Sequence, residues 1–155
     1  MSPEEDAPER VRELLERVVE AFGLDAEVDV VEEQGTITGT VQGTDVGLFI
    51  GRRGQTIDAV QHLAARAAFP APQPGRRVVI DAAGWRDRRE QALHAAAEQA
   101  AADVLREGQP VALEAMGAAE RRIVHEHLKE RSGIETYSEG TDPERHLVVA
   151  PLVSS

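Results

Sequence analysis

Cysteine is absent from this 155-residue chain, which excludes a disulfide framework, a thiolate metal site and a cysteine nucleophile. One tryptophan, one tyrosine and three phenylalanines are its only aromatic residues, so the core has to be aliphatic and rich in alanine. No apolar run reaches the length needed to cross a bilayer. The acidic N-terminus lacks the basic start of a signal peptide. A soluble, cytoplasmic protein without membrane insertion is expected. Several catalytic signatures are missing as well: the phosphate-binding Gly-x-x-x-x-Gly-Lys-Ser/Thr loop, the dinucleotide fingerprint, a nucleophile elbow and a His-Glu-x-x-His site. Acids are plentiful, but none forms a recognisable catalytic pair. His62, His94, His127 and His146 have no converging metal-ligand spacing. The expectation is a protein that is not an enzyme and uses no metal or cofactor.

What is present is enough apolar sequence, 41%, for one domain or two small ones. The formal net charge of −11 argues at first against a nucleic-acid partner, but the distribution of that charge argues the other way. Residues 1–50 hold three arginines and thirteen acids, whereas residues 51–110 hold nine arginines and seven acids. Residues 111–155 hold five basic and eight acidic residues. Sequence-independent affinity depends on a local basic patch, so a small one survives in the middle of the chain.

Taken in order, residues 1–8 read as a disordered acidic lead-in. Val11, Leu14, Leu15, Val18, Val19 and Phe22 fall at helical spacing, and Gly23 stops the run. Alternation over 27–33 and β-branched residues over 36–41, separated by Glu33-Gln34-Gly35, predict a hairpin. A short helical turn over 45–50 leads into Gly51-Arg52-Arg53-Gly54. Ile57, Val60, Ala64 and Ala67 then continue at helical spacing until Pro70. A linker with Pro72, Pro74 and Gly75 precedes a strand through Val78, Val79 and Ile80. Three strands with helices on one face make a two-layer α/β unit. Asp81 to Gly84 caps a long helix from about Trp85 to Arg106, with Leu93, Ala96, Ala100 and Val104 on its apolar side. That helix either links two domains or packs back on one of them. A strand over 111–116, a helix from 118 to about 131 and strands over 134–137 and 146–150 predict a second, smaller α/β domain.

The glycine turn carries the most specific chemistry. Its two glycines allow a tight turn and close approach by a partner. Free N–H groups at the start of the following helix, at Gln55, Thr56 and Ile57, face whatever lies over the turn. Arg52 and Arg53 present rigid forks of N–H donors suited to phosphate. Read from the turn alone, the alternatives are a phosphate clamp or a helix cap whose arginines merely face solvent. Further on, Arg121 and His125 lie four apart and share one helix face. That face meets either a nucleic-acid backbone or, more simply, a local carboxylate such as Glu126. Arg122 supports the same surface or pairs with Glu126, and Arg145 precedes the last strand, where it can return to that patch. Arg76, Arg77, Arg86, Arg88 and Arg89 form a further basic cluster, either part of a nucleic-acid path or a solvated face interleaved with acids. Trp85 reads as a packing anchor.

Leu48-Phe-Ile-Gly-Arg-Arg-Gly-Gln-Thr-Ile57 resembles the signature of the KH fold, and the order of elements resembles its prokaryotic, type II arrangement. Glu120-Arg-Arg-Ile-Val-His125 resembles the small nucleic-acid-binding domain named for an arginine and a histidine with three residues between them. The segment Glu135 to Arg145 resembles the stretch that follows this helix in the bacterial Jag family, also called KhpB or SpoIIIJ-associated proteins. That family joins the two modules in this order, and the resemblance covers roughly residues 10–152. It implies a type II KH domain over 9–82, a connecting helix over 83–109 and an Arg-x-x-x-His domain over 110–152. The N-terminal Jag domain of many members has no counterpart here, so functions residing in it are not expected. The position of Trp85 is more often tyrosine in the family.

The resemblance further implies a non-catalytic regulator that binds single-stranded RNA and is linked to cell division or envelope growth. A KH turn clamps the backbone of about four nucleotides. By this likeness Gly51, Arg52, Arg53 and Gly54 meet phosphates, Gln55 and Thr56 add hydrogen bonds, and Ile50 with Ile57 floors a groove beneath the bases. Arg121, Arg122, His125 and Arg145 form the second RNA surface. The implied partners are single-stranded RNA and a small single-KH protein, with a homo-oligomer as another assembly. Two other readings stand beside this one: a protein-interaction module using the acidic first helix, and a binder of single-stranded DNA.

Overall fold

The structure is a computed structural model that describes residues 5–153. Its chain divides into two compact units that meet in sequence between Arg86 and Asp87. The first unit opens with α1 (Ala7–Ala21), then β1 (Ala26–Glu33) and β2 (Thr36–Gly43). Next come α2 (Gly47–Ile50), a single 3-10 turn over Arg52–Gly54, α3 (Gln55–Ala68) and β3 (Arg77–Ala82). This is the order expected of a type II KH fold. The lead-in is shorter than the sequence predicts: Ala7 and Pro8 are already helical, and Ala7 is fully buried. A proline at the start of a helix loses no bond, because its missing N–H would have had no partner there. Residues 1–4 lie outside the described part.

Strands β1 and β2 pair antiparallel, and β2 pairs parallel with β3, so β2 is central. The hairpin closes through Gln34 and Gly35, both with positive φ (51° and 81°), the two-residue turn whose twist matches that of the strands. Along β2 the period of two puts Ile37 and Val41 inside, with Gly39 between them. A Cβ on Gly39 would stand 2.6 Å from Leu15 Cδ1, so helix α1 packs directly on the strand there. Val11, Leu15 and Val19 of α1 join Ile57, Val60 and Ala64 of α3 and Ile80 of β3 in one core. Arg10 donates to the carbonyls of Ala67 (2.8 Å) and Ala68 (2.8 Å), supplying partners to the otherwise open C-terminus of α3.

The second unit holds most of α4 (Trp85–Glu107), β4 (Val111–Ala115), α5 (Ala118–Leu128), β5 (Ile134–Glu139) and β6 (His146–Pro151). Its sheet is antiparallel throughout, in the order β4-β6-β5. The segment expected over 83–109 as a connecting helix does more than connect. Leu93, Ala97, Ala100, Ala101 and Val104 of α4 are buried with Met116, Val124, Leu128, Leu147 and Val149. Ala97, rather than the expected Ala96, takes the inward position. An alanine-rich helix offers little contrast between faces, so only the partner surface decides which alanines are covered. The loop before β6 contains a cis Asp142–Pro143 bond.

Candidate nucleic-acid interface

The glycine turn is conformationally specified at three of its four residues. Gly51 leaves α2 with φ 75° and ψ 177°, a region open only to glycine. Arg53 is left-handed (φ 55°, ψ 25°), and so is Gly54 (φ 77°, ψ 13°). A Cβ on Gly51 would stand 2.2 Å from Thr56 Oγ1, and one on Gly54 would stand 3.0 Å from the Trp85 ring. The tryptophan is half-buried against the first core and lies under the turn, a support that its position in the sequence does not reveal. Arg52, Arg53 and Gln55 are exposed and Thr56 is half-buried. Helix α3 starts without a side-chain cap, and its first N–H, that of Gln55, is not free as the sequence predicts but donates to the Arg52 carbonyl within the turn. A left-handed arginine is a local cost, and such costs cluster at ligand clamps.

Ile57 is fully buried and Ile50 is 9% exposed. Both belong to the core packing beneath the turn, which takes Ile57 out of any groove floor. The neighbouring edge of β3 is also occupied. Gln61 Oε1 accepts from Ile80 N (2.9 Å), and Arg86 donates to the Ile80 carbonyl (2.7 Å), to Gln61 (2.9 Å) and to Asp58 (3.1 Å). Asp81 Oδ1 accepts from Arg86 N (3.1 Å), capping α4 as the sequence predicts. Arg86 is thus a structural tie between β3 and α3. Arg76 pairs with Glu32 (2.7 Å), and Arg89 makes a two-pronged pair with Glu120 (2.6 and 3.0 Å). Three of the five arginines in the further basic cluster are therefore committed inside their own unit.

In the second unit, α5 lays its polar face against β5. Arg121 donates to the Met116 carbonyl (3.2 Å) and to Ser138 Oγ (3.1 Å), while His125 Nδ1 shares a 2.6 Å hydrogen bond with Thr136 Oγ1. Arg121 and His125 are four apart on a helix, and Thr136 and Ser138 are two apart on a strand, so each pair shares a face. This cross-bracing holds both side chains in fixed orientations. The exposed histidine is oriented by Thr136; Glu126 pairs instead with Lys129 (2.7 Å), which lowers the Glu126 carboxyl's pKa. Arg122 is exposed on the same helix. Arg145 does come back to this region through its backbone: its carbonyl accepts from Met116 N (3.1 Å), next to the carbonyl that holds Arg121. Its guanidinium folds onto the Gly140 carbonyl (2.6 Å).

A second polar cluster joins α4 to the end of α5. His94 and His127 stack with ring centroids 4.3 Å apart, and Glu98 accepts from both Arg131 and His127. These bonds, Arg131 first, hold the Glu98 carboxyl at about 2, down from 4.5. Because the folded value is depressed, the stabilisation is fully present above the unfolded value and is lost as pH falls toward about 2. Glu98→Gln should therefore lower the melting temperature of this unit modestly at pH 6 and hardly at all near pH 2, as read by circular dichroism. A difference that stays constant with pH would overturn this assignment.

Among the described residues, no group of three or more histidine or acidic side chains is placed to hold a metal ion. No helix in the described part is long and apolar enough to cross a membrane. The acid of the N-terminal region lines a groove of about 600 Å³ between α1 and β1, with Glu16, Glu20 and Glu27 around Val19, Leu24 and Val28. None of these residues belongs to the glycine turn.

Comparison with known proteins places both sites in domain context. Residues 9–80 match the family model described as the KH domain of KhpA/KhpB. Residues 91–151 match the model of the domain named for its arginine and histidine, the Arg-x-x-x-His domain. The RNA-binding protein KhpB of Clostridium symbiosum is 32% identical over 148 residues, covering 94% of this chain and 67% of that protein. KhpB of Bacillus subtilis is 32% identical over 147 residues, covering 94% and 71%. KhpB of Lactiplantibacillus plantarum is 35% identical over 146 residues, but only 45% of its length is covered.

Proposed function

The chain belongs to the KhpB family, and from that membership we propose that it is a non-catalytic regulator that binds single-stranded RNA through a site in each unit. One observation carries the proposal: the turn over 51–54 holds two exposed arginines beside a helix start without a side-chain cap, in a backbone conformation that a plain helix cap does not need. In the first unit Gly51, Arg52, Arg53, Gly54, Gln55 and Thr56 follow the sugar-phosphate backbone. Ile50 supports them from below. In the second unit Arg121 and His125 form the contact surface, with Arg122 beside them and Arg145 at the adjoining loop. Bonded to Ser138 and Thr136, the first two lose little rotamer freedom when they meet a phosphate or a base. A small single-KH protein is the proposed protein partner. Sedimentation of the chain alone and with that partner separates this assembly from a homo-oligomer.

The sole tryptophan provides a direct test. Trp85 lies against Gly54, so RNA seated on the turn should change its emission. Titration with unstructured RNA, single-stranded DNA and duplex should give saturable change with RNA first, falling steeply with salt. Arg121→Ala with His125→Ala should leave the amplitude of this signal intact while weakening overall affinity about tenfold or more by anisotropy, since loss of the Arg121 charge-assisted contact alone removes about 1.5–3 kcal/mol. Equal affinity for duplex and single strand would sink the proposal.

A further inference from the structure

At the far end of α3 from the glycine turn lies a cleft of about 280 Å³, bounded by the last turns of α3, the loop over 70–76 and the start of β3. His62, Arg66, Phe69, Arg76, Arg77 and Val78 line it. In a chain of net charge −11, three arginines and a histidine converge here on one concave surface. Arg66 and Arg77 are exposed and make no ion pair or side-chain hydrogen bond among the described residues. Arg76 is held by Glu32 and by the face of Phe69, with its guanidinium carbon 4.7 Å from the ring centroid. Its Nε is nevertheless buried and has no hydrogen-bond partner. A buried donor without a protein acceptor costs free energy.

Arg76 has a packing role, but among the described residues Arg66 and Arg77 have no partner that explains their presence. The C-terminal carbonyls of α3 are already taken by Arg10, so Arg66 is not needed there. The wall of the cleft is set before any ligand arrives: Arg76 N donates to the Gln73 carbonyl (3.1 Å) and Arg77 N to the Gly35 carbonyl (3.1 Å). Between turn and cleft, α3 presents Gln55, Asp58, His62 and Arg66 at spacings of three and four, which is one face of the helix. All four are exposed, and Asp58, the one acid on this stripe, is paired with Arg86. From Gly54 to Arg66 the helix rises about 18 Å. Phe69 and Val78 are nearly buried, so they give a base no platform to stack on.

We propose that this cleft is a second phosphate-binding subsite of the first unit, which takes a backbone phosphate of an RNA strand running from the glycine turn along α3. The inference rests on the RNA-binding reading of the turn and lengthens its footprint. Because the cleft offers guanidinium forks and no stacking surface, it adds affinity without sequence preference.

The test compares labelled RNAs of four and about twelve nucleotides, each as oligo-U and oligo-A, by fluorescence anisotropy. Arg66→Gln with Arg77→Gln should weaken the longer RNAs about tenfold for both sequences and lower the salt slope by roughly 0.7 to 1.4. The tetranucleotides should change less than about twofold. Arg17→Gln, an exposed arginine on α1, controls for net charge and should change neither. Undiminished binding of the longer RNAs overturns the subsite, as does an equal loss with the tetranucleotides or with Arg17→Gln. If Arg52→Asp with Arg53→Asp leaves tetranucleotide binding intact, the turn reading fails and the subsite fails with it. Loss in the turn variant with no loss in the cleft variant removes the subsite alone.

Discussion

Arg52→Asp combined with Arg53→Asp is expected to reduce the affinity of the chain for single-stranded RNA by about a hundredfold or more, with the fold unchanged. Each arginine removed takes away a charge-assisted contact of about 1.5 kcal/mol or more, and each aspartate adds repulsion from the same phosphate. Two such losses exceed about 3 kcal/mol, which corresponds to two decades in affinity. Stability should hold because both side chains are exposed. Aspartate also enters the left-handed region at position 53 more readily than most residues, since its short side chain bonds locally to the backbone. Anisotropy titration at two salt concentrations reads the affinity, and circular dichroism reads the fold. A loss below about threefold with a native spectrum would remove the turn from the binding site.

Gly51→Ala acts on the same turn through conformation rather than charge. The backbone at Gly51 lies where only glycine is at ease, and a Cβ there would overlap Thr56 at 2.2 Å from its hydroxyl oxygen. Backbone strain of about 1–3 kcal/mol adds to the displacement of Thr56 from the first turn of α3. The first unit should lose roughly 2–4 kcal/mol, visible as a fall of about 10 °C or more in its melting temperature. RNA affinity should fall as well, because the arginines lose the geometry that presents them. Thr56→Ala in the same chain removes the hydroxyl oxygen that the new Cβ would meet and should recover part of the stability. An unaltered melting temperature for Gly51→Ala would show that the turn adopts another conformation in solution.

These two substitutions separate what the linear chain announces from what folding adds. Period-3.6 and period-2 spacing of apolar residues set helices α1, α3 and α5 and the strands, because each element has to bury one face wherever it packs. The two glycines with two arginines between them, and the Arg121–His125 spacing, are likewise legible, since local backbone freedom and helix geometry decide them. The inward alanines of α4 are not legible. Ala96 and Ala97 offer the same methyl group, and only the facing surface of β6 and α5 selects Ala97. The same holds for the arginines over 76–89. The sequence shows a basic cluster interleaved with acids, but whether a guanidinium is free or committed depends on partners such as Glu32, Asp58 and Glu120. These lie 44, 28 and 31 positions away in the chain. Trp85 beneath Gly54, Thr136 behind His125 and the stacked pair His94 and His127 are contacts of the same kind. By itself the sequence determined which short segments are the candidates for the chemistry, because that information is local. Tertiary structure alone decided which charges remain available to a ligand, because ion pairs and close packing are made between residues that only the fold brings together.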